Sequence, residues 1–417
     1  MSPMTVLVGI VFVATFVLLA LRRIGRVSLE RGPVALFGGL VMILLGALTP
    51  EEAISAIDIG TLLLLLGMMF LAGALAASGF FRLVAGWVST VAPNERWLVA
   101  GTLLTSAILS ALFLNDTVAL FMPPLLITVL AWGKLPTFRT LAAAALGVNL
   151  GSLWTPVGNP QNAYLATVHG IGFFDFVVHM TPLVLLGLLV SGLLLVPGAS
   201  KAPLPPSPDW TVVERRLPLF LALIALGLTL VLFLFADRLG MPLWTIAIMN
   251  GTMVLAMVPL LGKGMSGRMV LEKVNANILL LFVGLFLLLA GARNAGITGT
   301  ILGMFPLGGA TALAELGNIA LVTFVLSNLF SNVPAVLLLD PFVSTLHPLY
   351  PQVLAAFSTL SGNTTLLASA ATLIVAEMSE EQGEPFPFWR FTKIGLVVTV
   401  VTLGAAVPYF AWLGAGS

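Results

Sequence analysis

The chain has 417 residues, of which 59% are hydrophobic and only 8% charged, with 18 Lys and Arg against 17 Asp and Glu. Soluble domains carry roughly a quarter charged residues, so this composition belongs in a membrane, and nothing in it points to a nucleic-acid partner. The absence of cysteine removes thiolate metal ligation, disulfides and thiol redox chemistry. Any soft metalloid must then be handled by oxygen and nitrogen groups, and no cofactor is called for.

In chain order, the first apolar run, 4–21, has no basic segment before it and no small-residue cleavage site after it, so it reads as a retained span. Runs at 33–48 and 59–78 follow. The segment 101–132 has to enter and return to one side, because Arg96 before it and Lys134 after it both belong on the cytoplasmic side. It is a re-entrant hairpin with its tip at Leu114-Asn115-Asp116-Thr117, and backbone of that kind is tolerated at membrane depth only against protein or a wet cavity. An interrupted span, 140–167, breaks at 151–162, where Gly151, Pro156, Gly158 and Pro160 stand among Thr155, Asn159 and Asn162.

A span at 180–196 leads to a polar cytoplasmic linker, 199–216, which holds Pro203, Pro205, Pro206 and Pro208. Spans at 217–236, 241–261 and 278–292 precede a second hairpin, 316–346, turning at Ser331-Asn332-Val333-Pro334. A second interrupted span, 350–378, breaks at 361–369 around Asn363, Thr364, Thr365 and Ser369, and 391–413 is the last. Most of these runs are long enough to cross about 30 Å of hydrocarbon as helix. The expected fold is an all-α polytopic membrane protein of about ten transmembrane helices plus two re-entrant hairpins. The runs are apolar all round, which excludes the alternating strands of a β-barrel.

Charge placement orients the chain. This topology puts sixteen of the 18 basic residues on the cytoplasmic side, leaving only Arg238 and Arg293 outside, and both termini then face the periplasm.

Sliding the sequence on itself gives a gap-free match at an offset of 217, at which Gly67, Gly79, Ser110, Asn115 and Pro124 fall on Gly284, Gly296, Ser327, Asn332 and Pro341. Corresponding points are five crossings apart, an odd number, so the second copy is upside down. The halves are 1–198 and 217–417. Inverted repeats of this kind build alternating-access carriers, with the solute near the midplane between broken helices.

Four polar breaks therefore hold the candidate solute ligands: Asn115, Asp116 and Thr117; Thr155, Asn159 and Asn162; Ser331 and Asn332; and Asn363, Thr364, Thr365 and Ser369. Gly and Pro unwind the helices, released carbonyls can coordinate a cation, and half-helix N-termini face electron-rich oxygen. Asp116 is the sharpest residue. A carboxyl in a membrane hairpin costs at least about 2.5 to 3.5 kcal/mol, and one that can gain and lose a proton there is a natural coupling site. Its plainer alternative is a cap on the second hairpin helix. His169, His179 and His347 read as interfacial residues, and Asp340, Glu377 and Glu315 as weaker candidates near helix ends.

The run Ala111-Leu112-Phe113-Leu114-Asn115-Asp116-Thr117-Val118-Ala119-Leu120 with Pro123, the 151–162 break, the Ala292-Arg293-Asn294-Ala295-Gly296 turn and the tip Ser331-Asn332-Val333-Pro334-Ala335-Val336 are familiar as a set. They resemble the arsenite permease and sodium/proton antiporter branch of the ion transporter superfamily, which is related to divalent-anion/sodium symporters. The resemblance covers nearly the whole chain from about Pro33. It implies a transport domain of two hairpins and two broken helices moving against a scaffold, in an elevator-type homodimer.

Where those symporters carry Ser-Asn-Thr, the tips here read Leu114-Asn115-Asp116 and Ser331-Asn332-Val333. The added negative charge disfavours a dicarboxylate or sulfate and favours a neutral solute such as arsenous acid, its hydroxyls meeting Asn115, Asn332, Asn363 and Thr364. Leu366-Leu367 stands where arsenite permeases tend to have Thr-Pro. The expected activity is proton-coupled antiport expelling arsenite and antimonite across the inner membrane. The alternatives are a sodium- or proton-coupled permease for small organic or inorganic anions, a passive channel, or the membrane subunit of a cytoplasmic arsenite-stimulated ATPase. A phosphate-binding loop is absent, which argues against an ATP-driven pump in this chain alone.

Overall fold

Apolar sequence of this length can satisfy its backbone in lipid only by coiling into helices, and helices are what it forms. The computed structural model describes residues 3–415 apart from 22, 25, 26, 205–214, 262, 263, 304 and 306, so Pro205, Pro206 and Pro208 of the expected linker lie outside the described residues. Helix α1 (Pro3–Leu21) leads through two short paired strands, β1 (Arg23–Ile24) and β2 (Val27–Ser28), into α2 (Arg31–Leu44) and α3 (Pro50–Ala56). Then come α4 (Ile59–Ala77), α5 (Phe80–Val91), α6 (Glu95–Leu112), α7 (Asn115–Gly133), α8 (Thr137–Ser152), α9 (Pro160–His169) and α10 (Phe173–Leu195). The second half holds α11 (Arg216–Leu234), α12 (Ala236–Leu239), α13 (Leu243–Leu261), α14 (Gly267–Leu271), α15 (Ala276–Asn294) and α16 (Ile297–Leu302). It ends with α17 (Ala312–Phe330), α18 (Asn332–Val343), α19 (Tyr350–Ser361), α20 (Ala370–Glu381) and α21 (Phe388–Gly414).

Eight described helices are long and apolar enough to cross a membrane, and shorter apolar helices accompany them. The run 33–48 differs from expectation, because α2 has only 14 residues, or about 21 Å of helix. Gly46, at φ +72, turns the chain, and Thr49 and Glu52 form a capping box that starts α3 at once. The amphipathic α5 was not anticipated; it packs on α7, with Phe81 stacked on Phe121 at 5.2 Å.

Helix boundaries repeat along the chain. α4, α6 and α7 start at Ile59, Glu95 and Asn115, and α15, α17 and α18 start at Ala276, Ala312 and Asn332, each 217 residues later. Each half lends a helix to the other, since α4 packs along α13 and α15 along α2. The matched glycines make both contacts: a Cβ on Gly67 would lie 2.4 Å from Ala247, and one on Gly284 would lie 2.2 Å from Ala35. Without a hydrophobic drive between helices in lipid, such close backbone approach is a main source of association.

The arms α6 and α7 run antiparallel, because Leu98 at the start of one clusters with Val129 and Leu130 near the end of the other. Their tip does not dangle. Asn115 N donates to Gly158 O at 2.8 Å and Thr155 Oγ1 donates to Ala111 O at 2.6 Å, which pins it to the break between α8 and α9. One end of the bundle is tied by basic residues: Arg96 donates to Pro197 O and Ala199 O, Arg215 to Ala77 O, and Arg390 lies over the Phe138 ring at 4.2 Å.

Candidate functional site

Breaking a helix in lipid frees carbonyls that must find donors, and the polar side chains of the breaks first meet that need. Asn162 Nδ2 donates to Ser152 O (3.0 Å) and Thr155 O (3.3 Å), while Asn363 Nδ2 donates to Leu360 O (3.1 Å). Thr364 Oγ1 donates to Ser361 O and also meets Thr399 Oγ1 at 3.0 Å. Thr365 Oγ1 meets Asn328 Oδ1 at 3.3 Å, and Thr117 is half-buried in the first turn of α7. The two breaks are also joined, through Asn149 Nδ2 to Thr359 O (2.7 Å) and Gln161 Nε2 to Thr359 Oγ1 (3.2 Å).

The remaining candidates converge. Asn115, Asp116, Asn159, Ser331, Asn332 and Ser369 line a single cavity of about 520 Å³. Each stands at a helix N-terminus, those of α7, α9, α18 and α20, so four partial positive ends face one space, each equivalent to roughly half a charge. Asn332, with its amide turned as its neighbours require, donates to Ser358 O (2.9 Å) and Ala368 O (3.1 Å) and so fastens the second tip to the second break. Thr117, Thr155, Asn162, Asn363, Thr364 and Thr365 are absent from the cavity lining. The expected meeting of a solute with Asn363 and Thr364 is not what this placement favours: Asn363 Nδ2 and Thr364 Oγ1 are engaged by the unwound backbone, while Asn363 Oδ1 is buried without a hydrogen-bond partner.

Three further features of the lining carry little signal in the sequence. Arg31, expected among the basic residues of the cytoplasmic side, is half-buried at the start of α2; its Nη1 donates to Ser331 Oγ at 3.0 Å and it lies within electrostatic reach of Asp116 and Glu377. Gln161 lines the cavity too, and its Oε1, like the Ser369 hydroxyl, is buried without a hydrogen-bond partner. Ser331 adopts φ +77 and ψ 165, a region nearly reserved for glycine whose strain of about 1–3 kcal/mol is characteristic of functional positions. In the sequence Arg31 counted only as one of the sixteen basic residues expected on the cytoplasmic side.

The cavity is bordered towards the basic end of the bundle by Glu30, Asn275, Glu377 and Glu380. Its ionisable lining is thus one guanidinium and four carboxylates, counting Asp116. Such a space can bind a small oxygen-rich solute from several N–H donors while a carboxylate and a guanidinium balance each other.

A model of the citrate transporter family, CitMHS, matches residues 10–355, more than three quarters of the chain. The chain belongs to the citrate transporter family. As such it is a multi-pass membrane transporter, and the motif resemblance placed it correctly at the level of the superfamily. The uncharacterized transporter Rv2684 of Mycobacterium tuberculosis is 27% identical across 98% of both chains. The silicon efflux transporter LSI3 of Oryza sativa is 27% identical across 97% of each. In fold, this member of the family is similar to the YdaH transporter of Alcanivorax borkumensis, with a TM-score of 0.58 and 16% identity over 100% of this chain and 99% of that one.

Proposed function

We propose that this transporter is a proton-coupled carrier that expels a small, uncharged, polyhydroxylated acid from the cytoplasm, with arsenous and antimonous acid as its substrates. One observation carries the reading: four helix N-termini, Arg31 and Asp116 meet around one cavity. Backbone N–H groups at the helix ends donate to the solute oxygens, and the Gln161 carbonyl oxygen accepts from a solute hydroxyl. Asp116, when its carboxyl is ionised, and Arg31 offset one another within the cavity. Protonation of Asp116 upsets that balance, which links proton binding to solute release. A relative named for silicon efflux supports this solute class, since silicon in water is also a small hydroxylated acid.

The same reading makes the halves inverted repeats, with the hairpins and broken helices moving against a scaffold of α2, α15, α4 and α13 in a homodimer. It puts the cavity mouth on the cytoplasmic side of the inner membrane and both termini outside, an orientation that the distribution of basic residues supports. A second reading has its own support. The family description, the four N-termini and Arg31 suit a carboxylate anion such as citrate, carried with Asp116 protonated.

Purified protein in proteoliposomes, given a pH gradient and no ATP, separates these readings. The proposal expects arsenite to accumulate and a protonophore to abolish the accumulation. Accumulation of citrate alone would favour the anion reading. Arsenite movement indifferent to the gradient would favour a passive channel, and none at all without a cytoplasmic ATPase would favour a pump subunit.

A further inference from the structure

Helices α9 and α18 each have one end in the solute cavity, at Gln161 and at Asn332, and carry the other end to a second polar cluster. There Asp340, 3% exposed, receives the Tyr164 hydroxyl at Oδ2 (2.8 Å) and the Ser344 hydroxyl at Oδ1, and Oδ1 is 2.8 Å from His169 Nε2. A carboxylate gathering three polar partners is more than capping requires, and the repeat does not account for it, because the matching position in the first half is Pro123. Tyr164 also lines a separate cavity of about 270 Å³, bordered by Asp58, Arg293 and Thr298 and lying at the opposite end of α9 from the solute. The His169 side chain is 26% exposed and so reaches solvent at that end.

From this geometry we infer that His169, held by Asp340, which Tyr164 in turn fixes through its other carboxylate oxygen, is a second proton-binding site, loaded from the face opposite the mouth of the solute cavity. The inference deepens the proton-coupled reading and rests on it for its place in the cycle. Asp340 accepts from the ring, so Nε2 keeps its hydrogen and Nδ1 is the atom that gains and loses the proton. The neutral ring is a hydrogen-bond donor to Asp340; the charged ring is its ion-pair partner. Because α9 has ten residues, about 15 Å of helix links this site to the solute cavity, and a rigid half-helix can transmit a change at one end to the other.

The neighbouring ionisable groups have their own contacts. Asp58 caps α4 through Thr61 N, and both Asp58 and Arg293 of α15 are within electrostatic reach of the Tyr164 hydroxyl. Glu315 of α17 accepts the Tyr350 hydroxyl of α19, and His347 stacks against that tyrosine.

Two measurements on the full-length protein test the site. With only three histidines in the chain, imidazole resonances of histidine-labelled protein in nanodiscs can be followed as pH is stepped from about 5 to 9, the range in which histidine changes charge. His169→Gln identifies the His169 signal, and that signal should move between its neutral and charged positions in the wild type and in Asp116→Asn. In proteoliposomes, wild-type arsenite flux should vary by up to about tenfold per pH unit on the far side. His169→Gln, and Tyr164→Phe, which keeps the ring, should reduce that dependence to less than about twofold.

A His169 ring fixed in one protonation state over the whole range overturns the second site, as does unaltered far-side pH dependence in both variants. A ring that titrates in a protein whose arsenite flux carries no protons instead upholds the site and contradicts the coupling role of Asp116.

Discussion

At the residue scale, Asp116 and Arg31 make opposite demands on the solute, and substitutions separate them. Asp116→Asn keeps the shape of the side chain but cannot exchange a proton, so gradient-driven accumulation should vanish while the protein remains folded; accumulation at the wild-type level would contradict the coupling role. A charge-assisted hydrogen bond is worth about 1.5–3 kcal/mol, so Arg31→Gln should weaken citrate binding by about ten- to hundredfold if an anion is the substrate. For a neutral hydroxylated solute the same change should be smaller than about threefold, and titration calorimetry reads either. Ser331 offers a stability test. Ser331→Gly loses the Arg31 contact but relieves the positive φ, whereas Ser331→Ala loses the contact and keeps the strain, so the glycine variant should be the more stable by about 1–3 kcal/mol in thermal unfolding. Asn115, Asp116 and Asn332 were legible in the sequence because a polar residue in the middle of an apolar hairpin is costly unless it meets a partner or a wet cavity. Arg31 was not legible, since a basic residue at a helix end usually faces solvent and only the tertiary fold closes a cavity over it.

At the scale of elements, the pairing of α2 with α15 and of α4 with α13 depends on two glycines that the 217-residue offset superposes. Gly67→Ala and Gly284→Ala each drive a methyl group into facing backbone, so both should lower the unfolding temperature in detergent. Gly227→Ala and Gly404→Ala meet nothing within 4 Å and should raise stability by about 0.5–1 kcal/mol through helix propensity. Equal effects at all four positions would contradict the packing described. The breaks were visible in the sequence from Gly, Pro and Asn where an apolar run ought to continue. What those residues do there was only half visible: released carbonyls have first claim on nearby amides and hydroxyls, so Asn162, Asn363 and Thr364 brace the backbone while Asn159 and Ser369 remain at the cavity. The shortness of α2 and the existence of α5 were missed because apolar runs mark membrane residence more clearly than helix ends.

At the scale of the whole molecule, the distribution of Lys and Arg offered an expected side for each helix end, and the internal match an expected inversion of the halves. Neither could show that both tips and both breaks reach one space, since that depends on how α8, α9, α19 and α20 cross. Alternating access requires this space to open to one face at a time. The chain has no native cysteine, so a single Ala370→Cys, at a half-buried position of the cavity lining, can be probed with a membrane-impermeant maleimide in right-side-out and inside-out vesicles. Rapid labelling is predicted in inside-out vesicles, where the proposed cytoplasmic mouth is exposed, and little in right-side-out ones. Equal labelling from both faces, or none from either, would contradict alternating access through this cavity.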